Sequence, residues 1–465
     1  MATGNEEEEI PSNERPRPLH KRKNLALRLL CALILLAIIL LFIAIICVLV
    51  LAPSHSSDQD GSRSALDWVE LAVPPELESV YPFNETRQLM VPPGYDIAVY
   101  AHVPSARFLL ALPGGDVLVS QPEEGKISLL RSPQRRVREA QPVDFATGLD
   151  VPNDMVLHAD GRGDRYLYVS QATRVTRHLY VKGDTAIRTP YVIIDDLPYS
   201  RQDLHPHKTI AIVNDTLYVS IGSTLDANPT DLQTDPKRGA IYGYQLTGER
   251  RRLITAGLRN VGNMAIAPNT NNLWAVVSQR DNLTYPLKDK NYGNYDIAYR
   301  FDNPVDEFVQ IVEGENYGWP HCNPTLKDKE YGAPEYVPDY DFNRDEKAVL
   351  CSTKRKVDAA IRPHSKPMGL TFWSGEKIKK DFKSNVIAVV ALNDNAYWGN
   401  RVIYYNWRNG KPELTPNDLV SGWMRTRNID SRWGQPVDIA VLDEESILIS
   451  DNFAGAIYKL YKTFH

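Results

Sequence analysis

One pattern recurs six times along this chain and restricts the folds open to it. An apolar strand runs into a short turn, and a second strand rich in Leu, Val and Tyr follows. The copies are FLLALPGGDVLVS (108–120), DMVLHADGRGDRYLYVS (154–170), TIAIVNDTLYVS (209–220) and MAIAPNTNNLWAVVS (264–278). A looser fifth joins GLTFWSG (369–375) to NVIAVVAL (385–392), and the sixth is DIAVLDEESILIS (438–450). Alternation with a period of two and β-branched content mark strands, and the Gly-Gly-Asp, Asn-Asp and Asn-Thr-Asn-Asn breaks mark hairpin turns.

A period of about 50 residues in an all-β sequence is the signature of a propeller. Six copies predict an all-β, six-bladed β-propeller over 76–465. Four-stranded blades bury their faces only by stacking, and closing the ring removes exposed edges. The early strand YDIAVYA (95–101) is expected to complete the last blade. The stretch 281–367 lacks sustained alternation, and it reads as a large insertion on one face, long enough to shape a site.

Residues 29–52 form one uncharged apolar run, followed directly by Pro53. As a helix it would span about 36 Å, enough for a hydrocarbon core of roughly 30 Å. Arg15, Arg17, Lys21, Arg22, Lys23 and Arg28 precede it, while Asp58 and Asp60 open the far side. This asymmetry predicts a cytosolic tail (1–28), one transmembrane helix, a stalk (53–75) and a propeller outside the cell or in a lumen, the type II arrangement. Cys31 and Cys47 fall in the run, leaving Cys322 and Cys351 as a candidate disulfide in an oxidising compartment. Closing that segment is worth roughly 3.5 kcal/mol in the chain-entropy picture. Sequons begin at Asn84, Asn214 and Asn282. A formal net charge of -5 is a poor footprint for a nucleic-acid binder.

No P-loop, HExxH, Rossmann fingerprint or Ser-His-Asp order is present. Polar residues stand just ahead of the strand repeats instead. His205 and His207 precede the third copy, Arg259 and Asn260 the fourth, and Arg107 the first. Equivalent positions in successive blades lie at one end of the ring. An imidazole, two guanidiniums and an amide gathered there would suit an anionic ligand.

Several segments resemble, in order, the sorbosone dehydrogenase and soluble glucose dehydrogenase-like family, including its fungal pyranose dehydrogenases. They are VPPGYDIAVYA from Val91, GLRNVGNMAIAP from Gly257, NNLWAVVSQRDNL from Asn271, ENYGWP from Glu315, PMGLTF from Pro367, and WGQPVDIAV through SDNFAGAIYKL (433–460). The resemblance covers about 89–460 and implies a six-bladed propeller that uses pyrroloquinoline quinone (PQQ) with calcium (Ca2+). It implies that His205, ahead of Lys208-Thr209, is the base that takes a hydroxyl proton from a sugar, aldose or polyol while hydride passes to the quinone. A pKa near neutrality would suit that role. Arg259 would stabilise charge on the quinone, with Arg107, Lys208, Asn260, Arg401 and Gln435 as further contacts. Main-chain carbonyls of Gln279, Arg280 and Asp281 would lie nearest the calcium.

The sequence departs from that family at the predicted ligand face. Gln435 stands in WGQPV where the family carries Arg, and Gln lacks the charged fork. LNDNAYWGNR (392–401) lacks the family's His, with Arg401 as a partial substitute. DLHPH replaces a Gly-rich approach to the His, and PND (152–154) replaces Pro-His-Gly. Two other readings use the same fold. A calcium-dependent lactonase or strictosidine synthase-like hydrolase would draw on Asn153, Asp154, Asn263 and Asp438 as metal ligands. A non-catalytic, membrane-anchored recognition propeller would use its rim insertion.

Overall fold

A computed structural model describes residues 66–131, 140–326, 332–393, 400–424, 426 and 429–463. All of them belong to the compact unit Ser64–His465. The run 29–52 lies outside the described residues, and among the described residues no helix is long and apolar enough to cross a membrane.

Six antiparallel sheets form the six blades. The first strands of the blades are Leu109–Ala111, Met155–Ala159, Ile210–Val213, Asn260–Ile266, Pro367–Ser374 and Pro436–Asp443, and each packs on the next around a closed ring. Each blade then runs outward through later strands, as in Thr216–Ile221, Ala240–Gln245 and Arg252–Ala256 of the third. Closure follows the sequence expectation. Tyr95–His102 pairs antiparallel with Ala456–Lys462 and completes the sixth blade.

A serine visible at the end of five of the six second strands stitches this architecture. Ser120, Ser170, Ser220 and Ser450 each accept the backbone N–H that opens their own blade's first strand, from Phe108, Asp154, Thr209 and Asp438, at 2.9 to 3.0 Å. Ser170 also donates to Lys208 O in the next blade (2.7 Å), and Ser450 donates to Arg107 O across the closing seam (2.5 Å). Carboxylates add to the seams. Asp154 accepts from Ile210 N (2.8 Å) and Asp438 from Leu109 N (2.9 Å). Buried donors and acceptors at the ring's end are thereby paired, which burial demands. Aromatic rings fill the spaces between blades. Trp274 is fully buried and meets Trp407 of the next blade edge to face at 4.8 Å.

Two expectations change. The stretch 281–367 is not wholly an insertion, because Asp306–Gln310 and Ala359–Ile361 are the outer strands of the fourth blade. The first opens with two acids and the second is three residues long, so neither shows alternation. The inserted material is therefore split around Asp306–Gln310, with the helix Ile297–Asp302 on one side and a small hairpin on the other. Cys322 and Cys351 are bonded across that second part, sulfur to sulfur at 2.02 Å. The end of the predicted stalk also folds. Asp67–Glu70 pairs with Gln88–Val91, and Leu71 and Leu77 are buried, because this stretch has apolar residues to bury against the propeller.

Candidate functional site at the mouth of the ring

The first strands all begin at one end of the ring, and the polar residues singled out above cluster there. His205 places Nδ1 3.0 Å from both Ser223 O and Ser223 Oγ. Ser223 Oγ gives its own proton to Leu225 O (2.7 Å), so both serine oxygens accept from the imidazole. Nδ1 therefore carries the ring proton, and Nε2 presents a lone pair. Burial, and then the charge of Arg259, press the His205 pKa down to about 3. The near-neutral value expected from sequence is thus corrected: desolvation beside a guanidinium disfavours the imidazolium.

Asn260 stands across from His205, with Gly222 between them. A Cβ on Gly222 would lie 2.7 Å from His205 Cβ and 2.9 Å from Asn260 Oδ1. Only glycine leaves both side chains in place. Asn260 Nδ2 also donates to Ser278 Oγ at 3.2 Å.

Arg259 is held by a residue that sequence reading missed. Its Nε donates to Asp226 O (2.8 Å) and its Nη2 to Asp226 Oδ1 (2.9 Å). The same carboxylate accepts Asp281 N (2.7 Å) and Asn282 N (3.0 Å). Arg259 therefore arrives at the mouth already paired with an acid. Asp226 sits in a loop after the third copy with no periodic pattern, and its only signal was an acid near a predicted cationic site.

Arg107 donates from Nε to Asn153 Oδ1 (2.9 Å), and Asn153 donates in turn to Lys208 O (2.8 Å). Burial lowers the Arg107 pKa to about 10, with Asp438 and Glu123 working against that shift. Beside it, His207 has a buried Nδ1 with no hydrogen-bond partner among the described residues. Burial, then Arg107, Lys208 and His205, hold its pKa well below the ordinary value.

Three predicted contacts are not presented to the mouth. The Lys208 ammonium is sealed in the core and donates to Pro206 O at 2.7 Å. Arg401 pairs with Asp418, 3.1 Å away on the outer strand of its own blade. Gln435 lies at the correct end, yet its Nε2 donates to Asn393 O (3.0 Å) and Asn393 Oδ1 (3.1 Å).

Of the three carbonyls expected to lie nearest calcium, that of Asp281 is already engaged. Asp281 O accepts from the Arg300 guanidinium at 3.1 Å, so a cation already holds that carbonyl. Arg280 turns into the insertion, toward Asp339 and Asp341. The alternative side-chain set is also engaged. Asp154 accepts Ile210 N and Met155 N (2.8 and 2.7 Å). Asp438 accepts Leu109 N and Asn263 Nδ2 (2.9 and 3.1 Å). These acids are strand clamps, and among the described residues no three His, Cys, Asp or Glu side chains are grouped to hold a metal ion. The charge of Arg107 acts on His207 here, so the mouth carries positive charge beside a neutral imidazole. The insertion carries a separate cleft of about 400 Å³ lined by Tyr292, Tyr336 and Tyr340, and none of the mouth residues lines it.

The family described as TrAA12-like matches residues 89–462. Among solved structures, the chain is similar to the holo form of a pyranose dehydrogenase PQQ domain from Coprinopsis cinerea. The TM-score is 0.67 at 14% identity, covering 81% of this chain and 97% of that one. It is similar to the calcium structure of a Trichoderma reesei carbohydrate-active enzyme of family AA12, with TM-score 0.65 at 14% identity, over 88% of this chain and 100% of that one. The PQQ-bound form of an aldose sugar dehydrogenase from Streptomyces coelicolor aligns with TM-score 0.52 at 18% identity, over 80% and 99%. At such identities the likeness is one of fold. A curated relative from Borreliella burgdorferi, described as an uncharacterized protein, is 24% identical over 282 residues, which are 57% of this chain and 62% of that protein.

Proposed function

The chain belongs to the TrAA12-like family, and on that premise we propose that it is an oxidoreductase of the PQQ-dependent sugar and aldose dehydrogenase type. Its substrate is a hydroxyl of a sugar, aldose or polyol. The observation that carries this reading is His205, whose Nε2 lone pair is fixed by the Ser223 acceptors at a mouth that also holds Arg107, His207 and Asn260. When bound, PQQ supplies a hydride acceptor.

The rest of the chemistry falls to the chain. Arg107 meets negative charge, while Asn260 and Arg259 border His205. With a pKa of about 3, His205 is unprotonated across the physiological range and needs no prior deprotonation to accept the hydroxyl proton at Nε2. Such an imidazole is a weak base, and an anion seated beside it raises its basicity by offsetting Arg259. No step is assigned to calcium.

We further propose that 29–52 anchors the protein as a single span, with the propeller outside the cell or in a lumen. The bonded Cys322 and Cys351 agree with that side of the membrane. A second reading, a non-catalytic recognition propeller, draws support from the pairing of Arg259 with Asp226 and the seat of Gln435 on Asn393.

Calorimetric titration of the full-length chain in detergent with PQQ, with and without calcium, tests the main reading. Acceptor reduction over a panel of aldoses and polyols completes it. No binding at tens of micromolar PQQ would end the oxidoreductase reading.

A further inference from the structure

The cleft on the insertion takes no part in the chemistry at the mouth. Its volume of about 400 Å³ falls within the roughly 300–1,000 Å³ of small-molecule sites. Three tyrosines, Tyr292, Tyr336 and Tyr340, line it together with Pro286 and Pro338. The rings are held in place. Tyr292 and Tyr340 meet edge to face, 4.9 Å between ring centres. Tyr336 donates its hydroxyl proton to Arg355 O at 3.0 Å. A Cβ on Gly293 would lie 2.5 Å from the Tyr340 hydroxyl oxygen, so glycine there leaves room for that ring. Asp339 is buried and accepts from Arg280, from Asn323 Nδ2 (2.8 Å) and from the backbone N–H groups of Asp341 and Phe342 (2.9 and 3.0 Å). The Cys322–Cys351 bond closes the segment that carries Tyr336 to Glu346. A preformed cleft spares its ligand much of the cost of ordering.

Charge narrows the class of ligand. Asp339 is spent on Arg280, and the remaining charged lining residues balance: Lys288 and Arg344 against Asp345 and Glu346. Lys288 Nζ lies 2.7 Å from Asp345 Oδ1, with the lysine side chain 73% exposed. Arg344 sits over the Tyr340 ring, 3.9 Å from its centre. An anion would meet the two acids, and an organic cation the two bases. Among the described residues no three His, Cys, Asp or Glu side chains are grouped to hold a metal ion. An uncharged ligand fits, one with apolar faces and an edge of groups that both donate and accept. A pyranose has that form. Its C–H groups pack on the negative faces of aromatic rings, and its hydroxyls can bridge a lysine and a carboxylate or bond a tyrosine in either sense. A proline-rich segment would suit the rings, yet proline offers acceptors without an N–H and leaves Asp345 unmatched.

We propose that this cleft is a saccharide-binding site for an uncharged oligosaccharide, separate from the mouth. It goes beyond the reading of the mouth and does not depend on it. The cleft holds a sugar chain whether or not the mouth oxidises one, and no bond is made or broken there.

The test uses full-length protein in a zwitterionic detergent free of sugar, titrated by calorimetry with cellotetraose, mannotetraose and chitotetraose. At least one should bind with a Kd of about 1 mM or tighter. Tyr292→Ala removes a wall and should weaken that ligand at least about tenfold, while Tyr292→Phe stays within about threefold of the parent. Lys288→Met, at an exposed position, should weaken it about threefold or more with an unchanged melting temperature. If Tyr292→Ala lowers the melting temperature, Lys288→Met decides. His205→Ala should bind the sugar as the parent does. Three results would each overturn the site. One is no binding of any tetrasaccharide at about 1 mM. Another is binding that tolerates both cleft substitutions or is lost in His205→Ala, which belongs to the mouth. The third is Tyr292-dependent binding of decaproline without binding of any sugar. None of these bears on the PQQ titration, and a failure of PQQ to bind leaves the cleft untouched.

Discussion

Asn263 donates through Nδ2 to Asp438 Oδ1 at 3.1 Å, joining the first strand of the fourth blade to that of the sixth. Asp438 simultaneously accepts Leu109 N of the first blade at 2.9 Å. One buried carboxylate thus ties three blades together at the axis. The residues that suggested a metal site are instead the fastening of the ring. Asp438→Ala removes both bonds and leaves two buried donors without acceptors. It should lower unfolding free energy by about 2–4 kcal/mol, read from denaturant melts.

The same buried acids set a pH dependence. Burial raises the pKa of Asp154 to about 8 and of Asp438 to about 7. In the unfolded chain both return to about 3.9. Each acid binds more protons folded than unfolded between those limits, but His205 and His207 oppose this below about 6.5, so stability falls as pH rises from about 6.5 to about 8. Thermal melts across that range should show the midpoint declining with pH, and a rising midpoint would contradict the assignment.

Gly222→Ala places a methyl 2.7 Å from His205 Cβ and 2.9 Å from Asn260 Oδ1. Either side chain must move. The expected outcome is a modest stability loss of about 1–3 kcal/mol with a larger effect on ligand affinity, measured by melting and calorimetry on the same sample.

His205→Ala deletes the proton acceptor and leaves Arg107 and His207 untouched. PQQ affinity should change by about twofold or less, while turnover falls by about 100-fold or more. In the parent enzyme, the acid limb of kcat/KM from this residue should lie below that of a free imidazole, because burial and Arg259 hold its pKa down.

Much of the ring was legible because strands announce themselves by alternation. The closing strand Tyr95–His102 and the six first strands stand out that way. The outer strands of the fourth blade do not, since DEFVQ and AAI are short and lack the pattern. At the mouth, position along the blades brought His205, Asn260 and Arg259 to one end. Which charges are already paired was invisible, because Asp226 and Asp418 reach Arg259 and Arg401 through folding alone.

Topology supplies a prediction independent of chemistry. Asn84, Asn214 and Asn282 are exposed. If 29–52 spans a membrane with the propeller on the far side, protein from a glycosylating host should lose mass on glycosidase treatment. Replacing Asn84, Asn214 and Asn282 with Gln should remove that shift. An unglycosylated propeller digested from the cytosolic side would refute the arrangement.

The pairing of Tyr95–His102 with Ala456–Lys462 also governs how the protein can be made. A ribosome delivers the first of these strands long before the second. The early strand must wait as an unmatched edge while every blade forms behind it. A nascent chain is therefore an open arc until its last residues emerge, and premature termination even a few residues short leaves the circle without its clasp. Cellular quality control has a simple criterion to act on here: the arc exposes a strand edge, and the finished ring does not.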